Sequence, residues 1–262
     1  MTLNRMLLAS AATLTGVMLA SAASAASLVA LVDGKSIVTI DPSNWQVQNT
    51  VAVSGAENLV GIDVRPADGM LYGVTAAGAI VTIDPASGKA TEKSMLSDKL
   101  ADGVVATVDF NPMADRLRIM GSDGTSHRVN VDDGKVTVDG SHKWKDGDAN
   151  ASGTPMIIAG AYTNSVNGSK AESTTLYNID GETGTLVTQA PPNDGVLNTV
   201  GELGMDVEAP AAFNIVAADG GNTGWLMAGG TLYQVNLETG AATETGKIEG
   251  VSGTVTDIAW WE

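Results

Sequence analysis

The chain of 262 residues contains no cysteine. Disulfides, thiolate metal ligands and cysteine nucleophiles are excluded together, and so is a lipid-modified N-terminal cysteine. There are two histidines, His127 and His142, which lack the i,i+4 spacing of a helical zinc motif. Positive charge is scarce: 14 Lys and Arg stand against 30 Asp and Glu, a formal net charge of −16. Such a surface repels nucleic acid and anionic lipid, whose recognition needs clustered basic residues. Beyond residue 25, no stretch approaches the roughly 18 apolar residues of a membrane span. No window carries a helical period of 3.6. A Gly-x-Ser-x-Gly nucleophile elbow and a phosphate-binding P-loop are both missing.

What is present begins with an export signal. Arg5 opens a short positive segment, residues 6–20 are apolar and rich in Leu and Ala, and Ala23-Ser24-Ala25 is a small-x-small cleavage site. Residues 1–25 are therefore expected to be a cleaved signal peptide, and residues 26–262 one periplasmic or secreted domain. No linker composition divides that domain.

A repeat organises it. Ile-Val-Thr-Ile-Asp-Pro occurs at residues 37–42 and again at 80–85, and weaker copies occupy 128–134, 176–184 and 232–240. The residues taken to close these strands are Asp41, Asp84, Asp132, Asp180 and Asn236, at steps of 43, 48, 48 and 56 residues. A period of roughly 40–50 residues with strand-turn-strand content marks propeller blades. Each unit divides into short strands joined by Gly-containing turns. The first unit, from 27 to 53, lacks an inner strand, and residues 253–261 at the other end resemble one. The fold expected is all-β: a single β-propeller of five four-stranded blades, closed by the C-terminal strand. Six blades are the alternative, because the last step is the longest.

Arginine is the second informative residue. Beyond the signal there are four, Arg65, Arg116, Arg118 and Arg128, and three of them lie within thirteen residues. They could recognise an anion through the guanidinium fork or pair internally with Asp109, Asp115, Asp123 or Asp132. Polar groups also collect at strand ends and in one long loop. The candidate ligand-binding residues are Asp109, Asn111, Asp115, Arg116, Arg118, Tyr162, Asn164, Asn193, Asp194 and Asn198, expected on one face because equivalent positions in a ring of repeats point the same way. Asp146, Asp148 and Asn150 begin like a calcium loop. The sixth position is Ala151 and the twelfth is Ile157, so an Asx-rich turn is the plainer reading. Adjacent Trp260 and Trp261 must face opposite sides of one strand and are read as packing between blades.

The stretches Gly61-Ile-Asp-Val-Arg-Pro66, Leu71-Tyr72-Gly73, 109–118, 161–164, Thr175-Leu-Tyr177 and 192–204 resemble the bacterial domain-of-unknown-function family 4394. The resemblance covers nearly all of the expected mature chain. It implies an exported β-propeller-like domain and no particular activity.

Three functions are compatible with these features. The first, and the one favoured, is a non-catalytic module that binds a small molecule or an envelope component. The second is a hydrolase or lyase in the central channel, since Asp63, Asp109 and either Asp206 or Asp257 occupy comparable strand positions. The third is a cation-binding structural protein of the envelope, suggested by the net charge. No cofactor, nucleic acid or membrane span is expected, and the chain is expected to be a monomer.

Overall fold

The computed structural model describes residues 26–218 and 220–261. The expected signal peptide, residues 1–25, lies outside them. The described chain forms five sheets. Strands β1 (Ser27–Val32), β2 (Ser36–Asp41) and β3 (Gln46–Ala52) begin the first. The second contains β4 (Leu59–Val64), β5 (Leu71–Thr75), β6 (Ala79–Ile83) and β7 (Ala90–Met95). The third contains β8 (Ala106–Asn111), β9 (Arg116–Gly121), β10 (Ser126–Asn130) and β11 (Lys135–Val138). The short β12 (Lys143–Trp144) precedes the fourth, built from β13 (Ile157–Tyr162), β14 (Leu176–Asp180), β15 (Thr185–Gln189) and β16 (Val196–Glu202). The fifth contains β17 (Ala211–Ala218), β18 (Gly221–Ala228), β19 (Thr231–Val235) and β20 (Ala242–Lys247). The last strand, β21 (Val255–Trp261), returns to the first sheet, where the order is β21-β1-β2-β3. The molecule is a five-bladed β-propeller.

The ring closes through the antiparallel pairing of β21 with β1, which sets Leu28 opposite Trp260 and Ala30 opposite Ile258. The inner strands β21, β4, β8, β13 and β17 touch one another in succession around the axis. Burial follows this radial order. Strands β1 and β13 are buried at every position, whereas β3 alternates between exposed and half-buried.

There is no single core. Five apolar clusters are each pressed between two neighbouring blades. Trp260 joins the cluster between the fifth and first blades, and Trp261 joins the one between the first and second. Their opposite directions on β21 therefore staple the closing strand to both neighbours. Trp225 meets Trp45 edge to face across the same seam, with ring centroids 5.0 Å apart.

The repeated Asp-to-Gly turn has a physical cause. The side chains of Asp84, Asn130, Asp180 and Asn236 accept hydrogen bonds from backbone amides two or three residues on. Each turn ends in a Gly whose amide bonds back to the carbonyl of that first residue. These glycines, Gly88, Gly134, Gly184 and Gly240, all have positive φ. At Gly88 and Gly134 a Cβ would collide with Ala52 O and Met95 O of the preceding blade. Glycine is thus needed for both the conformation and the close approach. In the third blade the turn starts at Asn130, two residues before the Asp132 inferred from the sequence.

The fourth blade departs from the others. What reads as a long polar loop after Pro191 is a 3₁₀ turn (Pro192–Asp194) followed at once by β16. Strand β12 then adds to β16 in parallel, giving this sheet five strands. The long final step of the repeat holds this outer hairpin edge and the two eight-residue strands β17 and β18, with no sixth blade among the described residues.

Deleting residues 253–262 should leave β1 and the two neighbouring inner strands, β4 and β17, without their closing partner. We expect aggregation, or a melting temperature lower by more than about 10 °C, measured by circular dichroism. An unchanged melting temperature would show that closure contributes little.

Candidate functional site

Three carboxyls line the axis. Asp257 Oδ2 accepts from the Ile62 amide at 2.9 Å, Asp63 Oδ2 from the Phe110 amide at 2.7 Å, and Asp109 Oδ1 from the Tyr162 amide at 2.9 Å. Each inner strand thus grips the next, from the first blade to the fourth. The fifth blade contributes Asn214, which faces Asp63. All four side chains are buried. Burial raises the Asp63 carboxyl to about 7, against the pull of the Phe110 and Val64 amides and of Asn214. Asp109 is pushed well above the ordinary range by burial and then by the charge of Asp63. Asp257 is raised mainly by burial as well. Asp206 lies elsewhere, exposed on the loop after β16.

Asp63, Asp109 and Asn214 border a cavity of about 50 Å3, roofed by Ser165, Val166 and Asn167. That is room for a few water molecules. The roof belongs to loop 163–175, the connection between β13 and β14. It reaches across the ring, where Gly168 donates to Pro66 O at 2.8 Å and Ala171 to Pro112 O at 3.3 Å.

Away from the axis, the arginines mostly pair internally. Arg118 is 1% exposed. It donates to Tyr162 Oη, Ser126 Oγ, Asp139 Oδ2 and Asn193 Oδ1 at 2.7–3.1 Å. Arg128 takes both oxygens of the same Asp139, at 2.7 and 3.0 Å. This network lies between the third and fourth blades, where the apolar cluster is the smallest of the five. His142 is also buried there; burial first, and Arg118 second, lower it to about 4, so the ring stays neutral. Arg65 holds Asp115 with two bonds of 2.6 and 2.8 Å, touches Asp68, and stacks over Tyr72. That contact holds the Asp115 carboxyl below its usual range.

The structure therefore brings Arg118, Tyr162 and Asn193 together in one network, with Arg118 and Tyr162 buried and Asn193 at its exposed edge. Asp109 is joined to Tyr162 only through the backbone amide. Asn111 caps the turn after β8 by accepting from the amides of Met113 and Ala114. Arg116 is exposed and donates to the carbonyl of Asp115. Asp194 is exposed in the 3₁₀ turn, and Asn198 donates to Ala190 O at 3.3 Å. Asn164 stands apart from these, in a reciprocal amide pair with Asn222 of the fifth blade. In the calcium-like stretch, Asp148 accepts from the amides of Asn150 and Thr199 and from Thr199 Oγ1, pinning its turn to β16. Asp146 is exposed. Among the described residues no group of three or more His, Asp or Glu is gathered closely enough to hold a metal ion.

Sequence reasoning did not single out Asp139, Asn214 or Asn222. Nothing local marks Asp139 or Asn222. Asn214 could have been found by aligning β17 with β4 and β8, since it occupies the same axial level as Asp63.

Beside the Asn164–Asn222 pair, a cleft of about 690 Å3 opens between the fourth and fifth blades. Its walls include Tyr177, Gln234, Asn236 and Thr243.

Fold and site define a five-bladed propeller whose axial acids join successive blades. The chain belongs to the family described as Domain of unknown function (DUF4394), whose model matches residues 24–259. No curated protein matches it. Among solved structures it is similar to a Bacteroides thetaiotaomicron protein of unknown function, with TM-score 0.52, 15% identity, and coverage of 88% of this chain and 63% of that one. A chain from a nidogen/laminin complex is similar with TM-score 0.53 and 11% identity, over 91% of this chain and 99% of the other. At these identities the likeness concerns the fold alone.

Two outcomes follow from the geometry. Asp63 keeps a proton in the folded state that the unfolded chain loses above pH 4. Its contribution is complete below that pH and is lost as pH rises towards about 7, on the order of 4 kcal/mol. Urea unfolding at pH 5 and pH 8 should show the loss. Asp63→Asn, which keeps an acceptor for Phe110, should reduce it, with the remainder carried by Asp109 and Asp257, which burial also raises. Separately, Arg118→Ala removes four hydrogen bonds from a buried seam and leaves Asp139 to Arg128 alone; it should cost about 3 kcal/mol, whereas exposed Arg116→Ala should change stability by less than about 0.5 kcal/mol.

Proposed function

We propose that the protein is an exported ligand-binding propeller. One contrast carries the reading. The axial carboxyls are engaged by backbone amides around a cavity of about 50 Å3, while a polar cleft of about 690 Å3 stands open between two blades. A rigid ring with an open, polar-lined cleft suits capture of a small molecule. Export fits the signal-like residues 1–25, the lack of cysteine and the acidic composition. Asp63 and Asp109 support a second reading, a carboxylate-dependent hydrolase or lyase in the channel, because both are raised towards a proton-donating form and border one cavity.

Native mass spectrometry of protein purified from its own host, followed by binding assays with any molecule that co-purifies, separates these readings. The binding reading expects the molecule to be held unchanged and Asp109→Asn to leave its affinity intact. Turnover of that molecule, abolished by Asp109→Asn in a folded protein, would replace binding with catalysis.

A further inference from the structure

We propose that the cleft between the fourth and fifth blades is a subsite for a neutral carbohydrate. This inference rests on the binding-module reading and names its ligand class. The chemistry of the wall carries it. In a chain of net charge −16, this cleft is bordered mainly by neutral amides and hydroxyls, and among the described residues Glu238 is the one carboxylate on it. Among them no basic side chain borders it, so an anionic ligand would find no counter-charge there. A cation would find one rim carboxylate, too little for strong selection in water.

A sugar presents closely spaced hydroxyls, each able to donate and to accept. Side-chain amides match this, because each offers two donors and an acceptor. The back wall is rigid: Asn164 N donates to Asn222 Oδ1 and Asn222 Nδ2 to Asn164 Oδ1, both at 2.8 Å. Asn236 spends its oxygen on the amides of Glu238 and Thr239, which leaves its Nδ2 free to donate. Gln234 and Thr243 make no side-chain hydrogen bond among the described residues and are exposed. Tyr177 is half-buried against the apolar cluster between these blades, so it supplies a fixed aromatic edge and a phenol without a large ordering cost.

The strand pattern disfavours an extended peptide. Peptides added to sheets need an unpaired strand edge. Strands β14, β18 and β19, which supply Tyr177, Thr223 and Gln234, are each paired on both sides, and β20, which supplies Thr243, is the one lining strand with an unpaired outer edge. The cleft therefore recognises mainly through side chains.

Isothermal titration of the intact domain tests this with maltotetraose, cellotetraose and chitotetraose, beside tetragalacturonate and an uncharged Gly-Ser peptide. At least one neutral tetrasaccharide should bind, and tetragalacturonate should not. Tyr177→Phe and Gln234→Ala should each weaken binding roughly 5- to 10-fold with the melting temperature unchanged. The inference is overturned if no neutral saccharide binds, if the peptide or the galacturonate binds instead, or if both variants bind the sugar as wild type does. If a co-purified host ligand binds while the cleft variants leave it untouched, the carbohydrate inference fails and the binding-module reading stands.

Discussion

Everything in this molecule depends on each blade having a neighbour on both sides. A four-stranded sheet with two apolar faces is insoluble alone, and here all five apolar clusters lie between blades. Such a stack has two exposed ends unless it becomes a ring. Pairing β21 with β1 removes both ends at once, and the adjacent tryptophans Trp260 and Trp261 lock the seam from either side. With no cysteine available, hydrogen bonding and burial supply the whole closure.

Polar groups reinforce the ring where apolar contact is thin. At the axis the inner strands are not paired edge to edge, and carboxyls take over by accepting amides from the next strand. Holding three acids in one narrow channel raises all of them, because charge there has little water to stabilise it. Between the third and fourth blades, Arg118 and Asp139 knit a seam with few apolar residues. The same groups that suggest chemistry in a linear reading are thus largely committed to assembly. On the wall between the fourth and fifth blades, by contrast, Gln234 and Thr243 are exposed and make no side-chain hydrogen bond among the described residues.

Much of the fold was legible. The Asp-to-Gly turn repeats because the second to fifth blades each carry an Asx-stabilised turn ending at positive φ, and at Gly88, Gly134 and Gly240 the preceding blade leaves no room for a Cβ. In the first blade Trp45 takes the positive-φ position instead. The C-terminal strand could be assigned to the first blade because one unit lacked an inner strand and another segment looked like one. The axial level of Asp63, Asp109 and Asp257 could be read from their common place in those strands. Less of the site was legible. Arg118 and Arg116 differ by two positions, yet one is 1% exposed and the other lies in solvent. The partners of Arg118 arrive from residues 126, 139, 162 and 193, and no local pattern ties them together.

The amino-acid sequence by itself determined the all-β class, the repeat and the closure, and favoured five blades over the six that its longest step left open. These follow from short-range rules: strand patterning, turn chemistry and the burial of apolar faces. Tertiary structure alone decided which polar residues are braces and which are free. That choice depends on distances between residues up to about two hundred positions apart, as in Asp257 and Ile62. Good hydrogen bonds need donor and acceptor within a window of about half an ångström and near-linear alignment, and only the closed ring sets positions that finely.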